Sequence, residues 1–270
     1  MSDDAVAHER SAIRSDVAGY DAQTLRAIRD DYLRDGYRLV PGVLTAEECA
    51  ALRDAVDRVF ERCAGEGPDR WQNPFLLKRI FELDVIFEDL LTREPIIGLA
   101  EHIVGRDCRL VSNNVIRNQP GQAIDKWHID RIPIFPVSEG MARHDRRWVM
   151  PAPMTNVQVM LTDVPSAEFG PSQYVPTSQY SGRDVPTETG PISFDGREPV
   201  SVFWRAGDIV LHNLFCWHRG TPNTSDRTRY MINITYGARY IAHSFEGGNQ
   251  YRVPEHVLAN ADERRRRLLT

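Results

Sequence analysis

The segment Tyr230-Met-Ile-Asn-Ile-Thr-Tyr236 is rich in β-branched and aromatic residues, which favour extended backbone. Similar short runs, separated by Gly, Pro, Asn and Asp, occupy 109–117, 154–161, 173–175, 200–204 and 209–212. Several short strands at such spacing are typical of a sandwich or barrel and differ from repeated βαβ units. The sequence therefore predicts a mainly β core over residues 106–240, with a long surface loop at 181–199.

The N-terminal part, residues 21–105, is predicted to be largely helical. Apolar residues recur at helical spacing over 21–35, and Gly36 offers a C-cap. Thr45 and Glu48 form a capping box that opens a second helix. The other expected elements are a strand at 37–40, a loop at 65–73, and helices at 83–91 and 95–104. Residues 1–20 have weak periodicity and are expected to be a flexible tail. The length of 270 residues suits one domain with flanking helices.

Composition excludes several classes of protein. The net charge of −5 disfavours a general nucleic-acid binder, because phosphate binding depends on clustered Lys and Arg. No apolar run approaches the ~18 residues of a membrane span, and the polar N-terminus lacks a signal-peptide core. The 4 cysteines form no CxxC pair, which fits a reducing compartment. We therefore expect a cytoplasmic protein that has neither a membrane nor a nucleic-acid partner.

The segment Lys126-Trp-His128-Ile-Asp130-Arg131 contains a candidate metal-binding pair. On a strand, side chains two residues apart point to the same face, so His128 and Asp130 would project together. One imidazole and one carboxylate supply two ligands of a facial triad, which leaves coordination positions open for oxygen chemistry on Fe(II). The pair alone is a weak motif, because a half-buried strand histidine bonded to a neighbour would have the same pattern.

A third ligand must come from a distant segment. The downstream candidates are His144, His212, His218, His243 and His256. His144 lies in a charged stretch typical of a loop, and His212 lies in an apolar strand and could face either way. His218 follows the predicted strand 208–215 and precedes a turn, so it is expected at a strand end.

Arg229 opens the last strand, 11 residues after His218. A guanidinium can bind a carboxylate through two parallel hydrogen bonds, which suits the distal end of an oxoacid. Arg227 is the competing candidate, but it lies in a polar turn where a solvated arginine is ordinary.

The ordered set of an HxD pair, a histidine 90 residues later and an arginine 11 residues after that resembles the phytanoyl-CoA dioxygenase family. Further similar segments lie at 34–48, 157–163, 170–178, 206–208 and 218–223, so the resemblance covers roughly residues 22–240. One departure is Gln158, where the family often has an aromatic residue.

The resemblance implies a double-stranded β-helix, a cupin-like jelly roll, that uses Fe(II), 2-oxoglutarate and O2 to oxidise a small molecule. His128, Asp130 and His218 would hold the metal, and Arg229 would hold the oxoacid. Gln158 and Asn114 are further candidates for co-substrate contacts, and Arg131 is a candidate for a substrate contact. Hydroxylation with release of succinate and CO2 is the expected outcome. A carboxylate at position 130 argues against the related halogenases, which have a small residue there.

Two alternatives stay open on sequence alone. A cupin-type isomerase or dioxygenase that uses no oxoacid would keep the three metal ligands but would not require Arg229. A non-catalytic barrel that binds a ligand would need neither the metal nor the arginine. The substrate is expected to be a small polar metabolite or a natural-product intermediate, because the chain has no evident basic patch for a CoA phosphate.

Overall fold

A computed structural model describes residues 12–130, 133–145, 147, 152–187, 190–244 and 251–270. Within these ranges lie ten strands: β1 Tyr37–Val40, β2 Trp71–Asn73, β3 Leu76–Lys78, β4 Arg109–Asn118, β5 Met154–Met160, β6 Ser172–Tyr174, β7 Val200–Val202, β8 Ile209–Asn213, β9 His218–Gly220 and β10 Arg229–Gly237. The α-helices are α1 Ala22–Asp35, α2 Ala46–Arg62, α3 Val85–Leu90, α4 Ile96–Val104, α5 Glu255–Ala259 and α6 Glu263–Leu269.

The strands form two antiparallel sheets. The larger sheet has seven strands in the order β1-β8-β5-β10-β4-β3-β2, and the smaller has three in the order β7-β6-β9. Met160 and Met231 of the larger sheet share a buried cluster with Tyr174 and Val202 of the smaller one. The two sheets therefore pack face to face as the predicted jelly roll.

Strand β10 shows how the larger sheet separates two environments. Ile232 and Ile234 are fully buried in the main core, which also contains residues of α1, α2 and α4. The alternate residues Met231, Asn233 and Thr235 point to the opposite face, because successive side chains of a strand alternate. One face of the sheet thus packs on the helices, and the other faces the smaller sheet and an internal cavity.

Capping residues set the boundaries of α1 and α2, and of these Gly36 and the capping box of Thr45 and Glu48 were predicted. Asp21 accepts hydrogen bonds from the backbone N–H groups of residues 23 and 24 at the start of α1, and Gly36 ends that helix with a positive φ of 86°. Thr45 and Glu48 form the reciprocal capping box at the start of α2. None of the described helices combines the length and apolarity needed to cross a membrane.

Two expectations for irregular backbone were wrong. The predicted loop at 65–73 ends in β2, which pairs with the unanticipated β3 and extends the larger sheet. The segment after β8 is also more structured than a strand end, because His218 begins a separate strand, β9, in the smaller sheet. Residues 1–11 of the expected tail lie outside the described part of the chain. Within the rest of that segment, Ile13 is buried and the Arg14 N–H donates to Glu48.

A buried ion pair connects α2 with the segment before α4. The Arg93 guanidinium donates from Nε and Nη2 to the two carboxylate oxygens of Glu48, at 2.8 and 3.0 Å. Both side chains are almost fully buried, at 2% and 1% exposure. Removing one partner would leave an uncompensated charge in the core.

We expect Glu48→Ala to lower the free energy of unfolding by about 3–5 kcal/mol, because it orphans Arg93 and removes the capping box. The control is Glu47→Ala, which removes an exposed carboxylate from the same helical turn. Urea unfolding of both variants measures the difference. Equal losses for the two variants would contradict the role assigned to the buried pair.

Candidate metal centre

Two backbone hydrogen bonds bring the predicted ligands together. His128 and His218 exchange N–H to O bonds of 3.0 Å in both directions, as an isolated antiparallel bridge. The Asp130 N–H donates to the Leu214 carbonyl at 2.9 Å, which holds the backbone of the second ligand residue in the same segment. The HxD motif was expected on a regular strand, and this was wrong: it lies outside the named strands, with His128 in an isolated bridge to His218. The alternation of side chains still holds there, so both ligands project to one side.

The three ligand side chains converge. The nearest atoms of His128, Asp130 and His218 that could bind a metal all lie within 4.8 Å of one another. Asp130 Oδ1 is 3.7 Å from His128 Nε2 and 3.5 Å from His218 Nε2. Two imidazole nitrogens and one carboxylate oxygen in this arrangement match the donor set of a facial triad. These residues could therefore hold one divalent metal ion.

The second nitrogen of each ligand histidine is also held. His128 Nδ1 lies 2.8 Å from the Lys126 carbonyl, and His218 Nδ1 lies 2.8 Å from the Cys216 carbonyl. A carbonyl only accepts, so each Nδ1 carries the hydrogen and each Nε2 presents its lone pair to the centre. The tautomer required for metal binding is thus set by the backbone.

The charges of the centre depend on one another. Burial and the neighbouring His218 lower the pKa of His128 below its usual value. For Asp130, partial burial acts to raise the pKa, but interactions with His218 and His212 outweigh it and hold the pKa well below its usual range. Burial would lower the pKa of His218, and the Asp130 carboxylate instead raises it. Asp130 is therefore ionised at neutral pH.

His212 supports the carboxylate from behind. Its fully buried imidazole places Nε2 2.9 Å from Asp130 Oδ2, whereas Oδ1 faces the two ligand histidines. Burial lowers the pKa of His212, which keeps the ring neutral with a hydrogen on Nε2 to donate. Sequence reasoning left the orientation of His212 open. The orientation of the His212 side chain is set by the strand register, which pairs His212 with Asn156 on β5.

Arg229 is a buried cation that has no buried counter-ion among the described residues. Its Nη2 donates to Asn118 Oδ1 at 2.7 Å, while Nε and Nη1 have no partner among the described residues. Burial lowers the pKa of Arg229 to about 10, so the group remains charged at neutral pH. Gly170 makes room for it, since a Cβ there would lie 2.8 Å from Nη1. By contrast Arg227 is exposed and stacks on the Phe169 ring, 4.2 Å from its centroid.

One cavity of about 520 Å³ contains the triad and Arg229. Gln158 and Asn114, which were predicted as co-substrate contacts, both line it. The Gln158 amide oxygen accepts a hydrogen bond of 2.9 Å from the Tyr174 hydroxyl. Asn233 lies between these two amides in the sheet register and was missed by the sequence analysis. Its polar side chain at an inward position of an apolar strand was the available signal.

Two of the other sequence candidates, His144 and His256, bond backbone carbonyls away from this centre. His144 Nε2 contacts the Phe135 carbonyl at 2.6 Å, and His256 Nε2 contacts the Glu82 carbonyl at 3.2 Å. Arg131 and the side chain of His243 lie outside what the structure describes. The predicted substrate contact of Arg131 therefore stays a prediction.

A sequence profile of the phytanoyl-CoA dioxygenase (PhyH) family matches residues 32–231, about three quarters of the chain. The chain belongs to the phytanoyl-CoA dioxygenase family. The resemblance inferred from the motifs is thereby confirmed, and so is the expectation of an Fe(II)- and 2-oxoglutarate-dependent oxidoreductase.

Relatives of this PhyH protein agree with that assignment. A probable alpha-ketoglutarate-dependent hypophosphite dioxygenase of Stutzerimonas stutzeri is 24% identical over an alignment of 239 positions, covering 77% of each protein. The epimerase SnoN, solved with Fe3+, alpha-ketoglutarate and nogalamycin RO, has a TM-score of 0.61 and 26% identity over 81% of this chain and 85% of SnoN. The carbocyclase SnoK of nogalamycin biosynthesis shares the fold, with a TM-score of 0.62 and 24% identity over 82% and 87% of the two chains.

We expect His212→Leu to weaken metal binding by the metal-free PhyH protein about 10- to 100-fold, because Asp130 loses the donor that orients its carboxylate. His212→Gln, whose amide can still donate, should recover most of the affinity. Titration calorimetry with Co(II) measures both variants. Unchanged affinity in His212→Leu would show that the hydrogen bond has no influence on the ligand set.

Proposed function

We propose that His128, Asp130 and His218 bind the Fe(II) of this oxygenase and that Arg229 binds the distal carboxylate of 2-oxoglutarate. The observation that carries the proposal is a buried guanidinium, without a buried counter-ion among the described residues, that shares one cavity with a facial triad. Leaving a charge buried and unpaired costs several kcal/mol. A carboxylate ligand that pairs with Arg229 removes this cost when it binds.

The spacing within the smaller sheet suits a short diacid. Gly220 lies beside the guanidinium, since a Cβ there would be 3.6 Å from Arg229 Nη2. His218 lies two residues earlier on the same strand, ~7 Å away at about 3.3 Å per residue. One molecule can therefore have one end at the ligand histidines and its other carboxylate at Arg229. Gln158, Asn114 and Asn233 lie on the facing sheet and are proposed to bond its polar groups.

The bound iron supplies the activation of O2 that oxidises the substrate, while the protein supplies binding, orientation and shelter from water. The Nδ1 hydrogen bonds of His128 and His218 keep each Nε2 free of a proton and aimed at the metal. Asp130 would hold the metal with its carboxylate, which favours oxygenation over halogenation. Oxidation of a substrate C–H, by hydroxylation, with release of succinate and CO2 is the proposed outcome.

The substrate is proposed to be a small metabolite of natural-product biosynthesis. SnoN, at 26% identity, was solved with nogalamycin RO in addition to iron and alpha-ketoglutarate. The residues lining the cavity near the triad are largely neutral and polar, which fits such a compound better than a CoA thioester with its phosphate groups.

We expect Arg229→Met to raise the KM for 2-oxoglutarate roughly 100-fold, since about 3 kcal/mol of charge-assisted hydrogen bonding is lost. With Ni(II) in place of iron, 2-oxoglutarate should raise the Tm of the parent protein and leave that of Arg229→Met unchanged. Arg227→Met, which removes an exposed guanidinium two residues away, serves as the control and should behave like the parent. An unchanged KM in Arg229→Met would favour a metalloenzyme that uses no oxoacid.

A further inference from the structure

The inward-facing residues of the larger sheet form four rows across β4, β10 and β5. Arg229 pairs with Asn118 in the first row. The second row is apolar, the third contains three amides, and the fourth, here called the distal row, is polar. The members of rows two to four are Met231, Ile116 and Met160; Asn233, Asn114 and Gln158; Thr235, Ser112 and Asn156.

The distal row lies at the metal end of the cavity. Asn156 pairs in register with His212, which holds Asp130. Thr235 is six residues beyond Arg229 on β10, ~20 Å along the strand at about 3.3 Å per residue. The triad therefore lies between Arg229 and the distal row. In the proposed function the co-substrate contacts Arg229 of the first row and the amides of the third row, whereas no part of that function uses the fourth row.

The distal row is built from neutral groups that retain hydrogen-bonding capacity. The Ser112 and Thr235 hydroxyls bond each other at 3.0 Å. Since each hydroxyl has one donor and two lone pairs, this pair keeps one donor and three lone pairs. The Asn156 side-chain oxygen is buried and has no hydrogen-bond partner in the described part of the chain. All three residues are nearly buried, at 9%, 5% and 6% exposure.

Polar groups with free hydrogen-bonding capacity next to a reactive centre indicate which chemical groups the ligand carries. A buried amide or hydroxyl group without a partner costs about 1–3 kcal/mol. An alkyl chain seated on this row would leave the Asn156 oxygen and the remaining hydroxyl hydrogen of the Ser112–Thr235 pair without partners. No residue of the row is charged, so a carboxylate or phosphate would find no counter-ion there. A ligand with neighbouring hydroxyl groups, which donate and accept together, matches the row.

We propose that Thr235, Ser112 and Asn156 form a substrate subsite for a hydroxylated carbon skeleton, such as a sugar or cyclitol unit. Its hydroxyl groups bond the row, which directs an adjacent C–H towards the metal centre. This subsite rests on the proposed iron and 2-oxoglutarate function, and it adds the class of substrate. The same three side chains would exclude substrates with apolar chains.

The experiment tests two sets of compounds as substrates of the iron-loaded enzyme. One set contains methyl glycosides and cyclitols, and the other contains straight-chain fatty acids of similar size. Succinate formation is measured above the rate without substrate. We expect stimulation by members of the first set alone. Stimulation by fatty acids alone, or by no hydroxylated probe, would overturn the subsite.

Variants then test the three side chains with the most active hydroxylated probe. Thr235→Val and Asn156→Leu should each raise the KM for that probe at least 10-fold and leave the KM for 2-oxoglutarate unchanged. Thr155→Val is the matched control, since Thr155 precedes Asn156 on β5 with its side chain on the opposite face. Unchanged KM values for the probe in both variants would reject the assignment.

Failure of the subsite can be told apart from failure of the proposed function. Substrate-free succinate formation and the stabilisation of the Ni(II) protein by 2-oxoglutarate depend on the triad and Arg229 but not on the distal row. If both are observed while the hydroxylated probes fail, only the subsite is rejected. If neither is observed, the metal and co-substrate assignments are rejected as well.

Discussion

The metal centre depends on one small piece of backbone pairing, the two reciprocal hydrogen bonds between residues 128 and 218. They join a segment that follows β4 to the start of β9, and so bring together proposed ligands that lie 90 positions apart in the sequence. Peptide groups are held more rigidly than long side chains, because fixing them requires no further rotamer choice. The backbone of the sandwich thus sets the distance between the two imidazoles, and the side-chain rotamers set only the orientation of the rings.

Around this pairing, the protein keeps polar groups in places where a purely structural core would be apolar. His212 and Arg229 are both almost fully buried, and each lowers stability unless it has a partner. His212 has its partner in Asp130, whereas within the described part of the chain the guanidinium bonds a single amide oxygen. This difference supports the proposal that His212 has a structural role towards Asp130, whereas Arg229 pairs with the carboxylate of a ligand.

Much of this arrangement could be predicted from sequence, because its causes are local. The caps at Gly36 and Thr45 indicated where the first helices end and begin, and the strand-rich runs indicated the sandwich. The three-residue strands β2 and β3 were missed because they are too short to show a periodic pattern. The choice of His218 came from its position before a turn and from the family resemblance. The orientation of His212 could not be predicted, since it depends on which residue of β5 lies opposite.

The alternation along β10 has a consequence for how new selectivity can arise. Odd positions 231, 233 and 235 face the cavity, whereas even positions 232 and 234 are packed into the helical layer. Hydrogen bonds from β4 and β5 on both sides hold the strand regardless of what its odd positions carry. Substitutions at position 235, which lies outside the buried cluster around Met231 and outside the proposed co-substrate contacts, are therefore expected to change which compounds are accepted while the fold persists.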